Sequence, residues 1–426
     1  MKFNRQDSGF TRHRIAHAAA CALVPAGLLL AAAPVALAAP QGGQVRAGQA
    51  AISQSGALTT VQQGSARAVI DWRSFSVGAA ETVRFDQPSS SAWVLNRVVG
   101  NDASAVLGRI SANGQVMLIN PNGIVFGRGA QVDVASLVAA TADVSTGDFM
   151  AGRLRFGTPG KPGAKVDNQG RITVADGGLV ALVGHQVANS GVINARLGKV
   201  ALAAGDAFTL DLYGDRLINL IIDPAVLGEL RDSAGVPLAA RVDQQGSILA
   251  ERGVVQISAA TVQRLVDNII NVGGTIRAAS FESAGGVISL RGDSGTRLSL
   301  AGTLDVSGTQ GGRVEMSAGV VRLADGARVD ASGTAGGGSV AIGGGWQGAG
   351  ELPHARSVSV ARGAVIDAGA TVAGSGGTVS LWSDGDMRFD GRVNARGGAV
   401  AGDGGQVEVS GRDRLGFAGE VDAGAA

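Results

Sequence analysis

Cysteine is all but missing from this chain, which has one, Cys21, in 426 residues. That excludes a disulfide framework and a cysteine-based zinc site. Aromatic residues make up only 4%, with a single tyrosine, so the bulky aromatic core of an ordinary globular domain is unavailable. Charge of one sign is lacking too: the formal net charge is +1, which argues against nucleic acid or an anionic lipid surface as a partner. Histidine is sparse. His185 and His354 are the only two beyond the amino-terminal 38 residues, and neither stands near a cysteine or carboxylate cluster with metal-ligand spacing. His185 reads as a turn residue, and no cofactor or metal is expected. Tandem calcium-binding nonapeptides are absent, and Gly157-Thr158-Pro159-Gly160-Lys161-Pro162 lacks the hydroxyl residue that follows the lysine of a phosphate loop, so it reads as an ordinary loop.

What the chain has in quantity is glycine, 68 residues, beside regularly spaced valine, leucine and isoleucine. Without a strict triplet the glycine is not collagen-like, and the regular aliphatics exclude disorder. From residue 285 a motif recurs: two glycines, any residue, an aliphatic, any residue, an aliphatic. It begins at Gly285, Gly311, Gly337, Gly376 and Gly404, at intervals of 26, 26, 39 and 28 residues. Between these lie Leu304-Asp305-Val306, Val329-Asp330-Ala331, Ile366-Asp367-Ala368, Val393-Asn394-Ala395 and Val421-Asp422-Ala423. Each unit thus holds at least two short strands with one apolar face, and the Asp and Asn positions read as corner residues. A unit this short cannot bury its apolar face alone, but stacked units can. The fold class is therefore all-β, a right-handed parallel β-helix. At ~22 residues per coil, with the coil starting near Val45, the repeat predicts ~17 coils and a rod of ~80 Å. Two stretches interrupt the pattern. Residues 210–242 predict an excursion packed on the coil, and apolar residues at 262, 265, 266 and 269 predict a short helix.

Lys2, Arg5, Arg12 and Arg14 precede an apolar run from Ala18 to Ala33 and then Ala36-Leu37-Ala38, a small-x-small cleavage site. Residues 1–38 read as a secretory signal, since Pro25 and Gly27 interrupt a run that is too short to span a membrane. Cys21 would leave with it, and the mature chain would have no thiol to trap in a periplasm.

Residues 115–127 read Gln-Val-Met-Leu-Ile-Asn-Pro-Asn-Gly-Ile-Val-Phe-Gly, two apolar runs hinged on Asn120-Pro121-Asn122-Gly123. Asn at the first position of such a turn bonds back to the chain, Pro presets the second, Asn tolerates the third and Gly relaxes the exit. Together with Trp72 to Gly78 and Phe85 to Gly100, this segment closely resembles the amino-terminal secretion domain of two-partner secretion exoproteins, the family of filamentous haemagglutinin and related adhesins. The resemblance covers residues 42–279. It implies a domain organisation of signal 1–38, secretion domain 39–280, and a repetitive β-helical passenger 281–426. As the run ends on a strand motif without an amphipathic cap, the passenger is expected to be truncated or unusually short.

The resemblance further implies a partner, an outer-membrane barrel with periplasmic transport domains of the POTRA type, and a monomer delivered to the cell surface or the medium. Asn96-Arg97-Val98 and Asn120-Pro121-Asn122-Gly123-Ile124 match asparagine motifs that the family needs for secretion. They serve either as transporter contacts or as residues that shape corners of the coil. Adhesion to a host-cell or bacterial surface receptor is the implied task, with haemolytic, haem-acquisition and contact-inhibition exoproteins as alternatives. Arg291-Gly292-Asp293 is placed on an exposed turn, where it would suit cell attachment, although ~0.3 such tripeptides arise by chance in a chain of this composition. An enzyme is not expected. A carbohydrate-active β-helix would gather several Asp and Arg on neighbouring coils of one face, whereas Asp305, Asp330, Asp367 and Asp422 recur once per unit like turn formers.

Overall fold

The computed structural model describes residues 39–205, 208–210, 218–219, 241–259, 269–280 and 285–425. Among these, strands run three to a coil and stack into three long sheets of 13, 11 and 14 strands. Pairing is parallel and in register from coil to coil, so the fold is the right-handed parallel β-helix that the repeat implied. The coil has three strands, of which the repeat marked at least two. The missing one belongs to the second sheet, in segments such as Arg297–Leu300, Val320–Leu323 and Ser357–Val360, whose words share no glycine pair to mark them.

Coil number is a correction. The first sheet holds twelve parallel strands beyond an antiparallel Gln44–Ala47, hence twelve coils rather than ~17, about 55 Å of stack. Chain is diverted elsewhere: the corner between the first and second sheets is enlarged at residues 141–164, 205–240 and 343–356. The last of these accounts for the 39-residue interval. Nor does the coil begin at Val45. Gln44–Ala47 and Ala50–Ser55 pair antiparallel with Arg67–Trp72 and Leu58–Gln63 and cover the first coil.

The glycine pairs have a steric cause. A Cβ on the second glycine of each pair would strike the carbonyl oxygen of the equivalent glycine one coil back: Gly312 on Gly286, Gly338 on Gly312, Gly377 on Gly338. A Cβ on the first would strike a corner carbonyl one coil on, as Gly311 on Ala331. Aspartates sit where expected and cap the corner backbone: Asp305 accepts from the Ser307 N–H (2.9 Å), Asp330 from Ser332 (3.1 Å) and Asp367 from Gly369 (2.9 Å).

The interior is mainly aliphatic, with Trp72, Phe75, Phe85, Phe126 and Phe389 as its aromatics, and is continuous from Val61 to Val393. One column departs from this. Asn168, Asn189 and Gln244, all fully buried at the ends of second-sheet strands, form a ladder in which Asn168 Nδ2 donates to Asn189 Oδ1 and Asn189 Nδ2 to Gln244 Oε1, both at 2.7 Å. Phe126 precedes them in register and Val272 follows.

Outside the coil lies a four-stranded antiparallel sheet, Asp143–Val144, Arg155–Thr158, Phe208–Leu210 and Ile218–Asn219, with a five-residue helix Thr146–Met150 between its first two strands. The excursion expected over 210–242 is thus real in its described part but starts much earlier, at the enlarged corner 141–164. Arg241–Gln244 already belongs to the coil, and most of the rest lies outside the described residues. The helix expected near 261–270 falls largely outside them too, although Ile269–Val272 is a coil strand. The Gly157–Lys161 loop is part strand, since Arg155–Thr158 includes Gly157 and Thr158.

We expect Gly312→Ala to lower stability by about 1–3 kcal/mol, because its methyl must push two coils apart. Gly157→Ala, whose Cβ meets nothing within 4 Å, should stay within about 0.5 kcal/mol of the parent. Urea unfolding followed by circular dichroism separates the two.

Candidate functional site: the asparagine motifs and the excursion they support

The turn Asn120–Gly123 joins strand Gln115–Ile119 of the first sheet to Ile124–Phe126 of the second. Its own backbone closes it, Gly123 N–H donating to the Asn120 carbonyl (3.0 Å), with Gly123 at φ 111°, in the region that favours glycine. Asn120 is completely buried. Its amide donates to the Asp102 carbonyl (3.0 Å) and Ser104 Oγ (2.9 Å) of the previous coil, while its Oδ1 accepts from the Asn122 N–H (2.9 Å) and Nδ2 (2.8 Å). Asn122 Nδ2 also reaches the Gly100 carbonyl (2.9 Å), and Lys161 N–H donates to the Pro121 carbonyl (2.8 Å) from the following coil. Ile124 points into the core. The tetrapeptide therefore stitches three coils at one corner.

Asn96 is a correction, for it shapes no corner. It lies within strand Trp93–Val98, is fully buried, and faces the interior with Val94 and Val98. Its Oδ1 accepts from Trp72 Nε1 (3.0 Å) one coil back, and its Nδ2 donates to the Met117 carbonyl (3.3 Å) one coil on. Asn96 thus gives the buried indole N–H the acceptor it needs.

Arg97, the next residue, points the opposite way, as strand alternation demands. Its side chain is 13% exposed and fans onto the excursion: Nε to Asp143 Oδ1 (3.0 Å), Nη2 to the Val144 carbonyl (2.7 Å), and Nη1 to Thr146 Oγ1 and to Asp71 Oδ1 (both 3.2 Å). Arg46 binds the other oxygen of Asp71 (2.8 Å). Burial pushes the Asp143 carboxyl above its ordinary range, and the Arg97 charge and hydrogen bond pull it back. From the neighbouring strand, Arg67 donates to the Phe149 carbonyl (3.1 Å) and lies 5.5 Å from the Phe149 ring centre. The short helix is held by an arginine at each end, and Ser145 Oγ caps its first turn through the Asp148 N–H (3.0 Å).

Beneath the excursion the outer face of the first sheet carries an apolar patch of its own. One outward column reads, coil by coil, Val69, Leu95, Met117, Val138, Ala181, Ala201, then Gln256, Ser289 and Glu315. The first six are buried with Phe149, Leu154, Phe156 and Phe208 in a second hydrophobic cluster. Phe156 and Phe208, one from each enlarged corner, stack at 4.1 Å.

The remaining candidates stand apart. Arg291-Gly292-Asp293 is not an exposed turn: Arg291 and Gly292 end strand Val287–Gly292, and all three residues are half-buried. Arg291 binds Glu315 (2.6 Å) and Ser289 (3.0 Å), and Asp293 Oδ1 accepts from the Gly295 N–H and Thr296 Oγ1. His185 is buried between strands Leu179–Gly184 and Gln186–Asn189. His354 does meet a carboxylate, Nδ1 to Asp384 Oδ1 at 2.9 Å, against the Trp382 ring. Among the described residues no group of three or more His, Cys, Asp or Glu is placed to hold a metal.

Residues 36–306 match the family model described as the TPS secretion domain. This chain belongs to that family. Its fold superposes on the HMW1 secretion domain from Haemophilus influenzae with a TM-score of 0.76 and 29% identity, over 91% of this chain and 99% of that one. A heme/hemopexin-binding protein of H. influenzae strain Rd is 37% identical over 196 residues, 44% of this chain and 21% of the relative. A second H. influenzae protein of that name is 47% identical over 85 residues, 20% and 9% of the two chains. This TPS chain therefore matches about a fifth or less of the length of these relatives. The three sheets of the TPS fold run without a break past residue 280, from Val254–Ala259 to Val287–Gly292, from Ile269–Val272 to Arg297–Leu300 and from Thr275–Arg277 to Thr303–Asp305.

Arg67, Asp71 and Asp143, which complete the arrangement around Arg97, escaped the sequence reading because nothing local marks side chains that lie 26 to 46 residues from that arginine. A faint signal existed: the runs Leu137 to Ala140 and Leu179 to Val183 are apolar at every position, which strands with one wet face are not.

Asn120→Ala should cost about 2–3 kcal/mol, since it strands buried groups of two coils. Asp330→Ala, loosening one half-exposed corner, should cost about 1 kcal/mol or less. The shift of the urea midpoint reads both.

Proposed function

We propose that the chain is an exoprotein carried across the outer membrane by a dedicated partner barrel, whose periplasmic POTRA-type domains capture residues 39–280. The coils from 281 onward act as a stem for a surface adhesin. The family membership of residues 36–306 carries this reading. The asparagine motifs serve export through folding. Asn96, Val98, Asn120, Gly123 and Ile124 are buried in the finished coil, so a transporter can touch them only before the coil closes. Closing coils outside the cell buries apolar side chains and strand hydrogen bonds that the unfolded chain leaves in water, which favours outward movement.

The relatives' names favour a second reading, acquisition of haem from a host carrier, with the binding function in sequence this chain does not share with them. The two readings divide the same stem, and both predict the same export.

Co-expression with a candidate partner barrel of the two-partner type tests the proposal. The chain should reach the medium only when the barrel is present, Asn120→Ala should lower the secreted amount severalfold, and Asp330→Ala should leave it near the parent. Release without the barrel would overturn the export reading, and equal secretion of the two variants would remove the motif from it. Asp293→Glu should leave attachment of the purified protein to animal cells unchanged, because Asp293 already caps its own turn. Lost attachment with an intact fold would restore the tripeptide as a receptor site.

A further inference from the structure

We propose that Arg97 is a positioning residue for the excursion and not a transporter contact: it latches the segment 143–158 over the apolar outer face of the first coils as the chain folds. The inference rests on the export reading above. Three observations converge on it. First, four donors of one guanidinium are used, three of them on Asp143, Val144 and Thr146, which begin the excursion. A fan of this kind is the geometry that guanidinium supplies and ammonium does not. Second, Arg97 sits in an outward column where Ile119, Ala140, Val183 and Ala203 follow it. A charge placed there without partners would destabilise that face. Third, the latch reaches back 46 to 49 residues, and its companion Arg67 to Phe149 reaches 82, whereas strand pairing ties each coil only to its neighbours.

The consequence for export is one of order. As the chain emerges from its amino-terminal side, strands Arg67–Trp72 to Ser136–Ala140 present an apolar outer face that stacking alone cannot hide. The next residues to arrive are 143–158. Arg97 and Asp71 fix their entry, Arg67 their helix exit, and Phe149, Leu154 and Phe156 then cover the face. The motif Asn96-Arg97-Val98 thus works on both sides of one strand at once, Asn96 locking the interior and Arg97 sealing the exterior.

Hydrogen exchange read by mass spectrometry on the full chain provides the test, with Arg97→Ala, Arg97→Lys and Asp143→Ala as variants. Exchange over 143–158 should rise at least tenfold in Arg97→Ala and Asp143→Ala and less in Arg97→Lys, with 287–425 unchanged. In parallel, urea-unfolded chain is diluted onto the detergent-solubilised partner barrel, and all three variants should be captured within twofold of the parent. Capture weakened tenfold by Arg97→Ala but not by Asp143→Ala would make Arg97 a contact residue and overturn the proposal, as would unchanged exchange over 143–158. If Arg97→Ala loosens the whole coil, Arg97→Lys and Asp143→Ala decide on the same criteria. A parent chain that the barrel does not capture would sink the export reading, and the exchange result would still decide the latch.

Discussion

Everything in this molecule depends on how closely one coil can lie on the next. In-register backbone hydrogen bonds fix the spacing at about 4.8 Å, and any atom at a corner that projects along the stacking axis breaks the ladder. The glycine pairs satisfy that constraint at the entry to the first sheet, and the Asp and Asn residues at the ends of third-sheet strands satisfy the corner N–H groups that the bend would leave unpaired. Side chains then follow. Aliphatics fill most of the interior, with a few aromatics such as Trp72, Phe85 and Phe126 among them.

Within that regular frame the first six coils differ from the later ones on their outer face. The change falls between Ala201 and Gln256 in the outward column, and the coil itself does not change there. What changes is the company it keeps: apolar where the excursion lies, polar where water does. Arg67 and Arg97 also stand on the covered side, and both hold the cover in place.

The fold was legible because its constraint is periodic. Gly311, Gly337 and Asp330 announce themselves by spacing alone, and so does the solenoid. The second-sheet strands did not, since Arg297–Leu300 carries only a bare alternation that any strand would share. Nor did the site. Asn120-Pro121-Asn122-Gly123 declares a turn by local chemistry, but the depth of Asn96 and the reach of Arg97 are set by residues one to two coils away. Coil length is likewise hidden wherever a corner swallows extra chain, as at 141–164, which is why the expected number of coils was too high.

The buried ladder of Asn168, Asn189 and Gln244 has a bearing on errors of assembly. Repeated aliphatic columns are nearly interchangeable, so a coil that skipped a neighbour and settled on the wrong one would lose little. An amide cannot do this silently. Set against Phe126 or Val272 on both sides, it would lose its partner at a cost of about 1–3 kcal/mol. Three successive amides therefore number the coils they occupy, and a molecule built from look-alike parts carries an address at its middle.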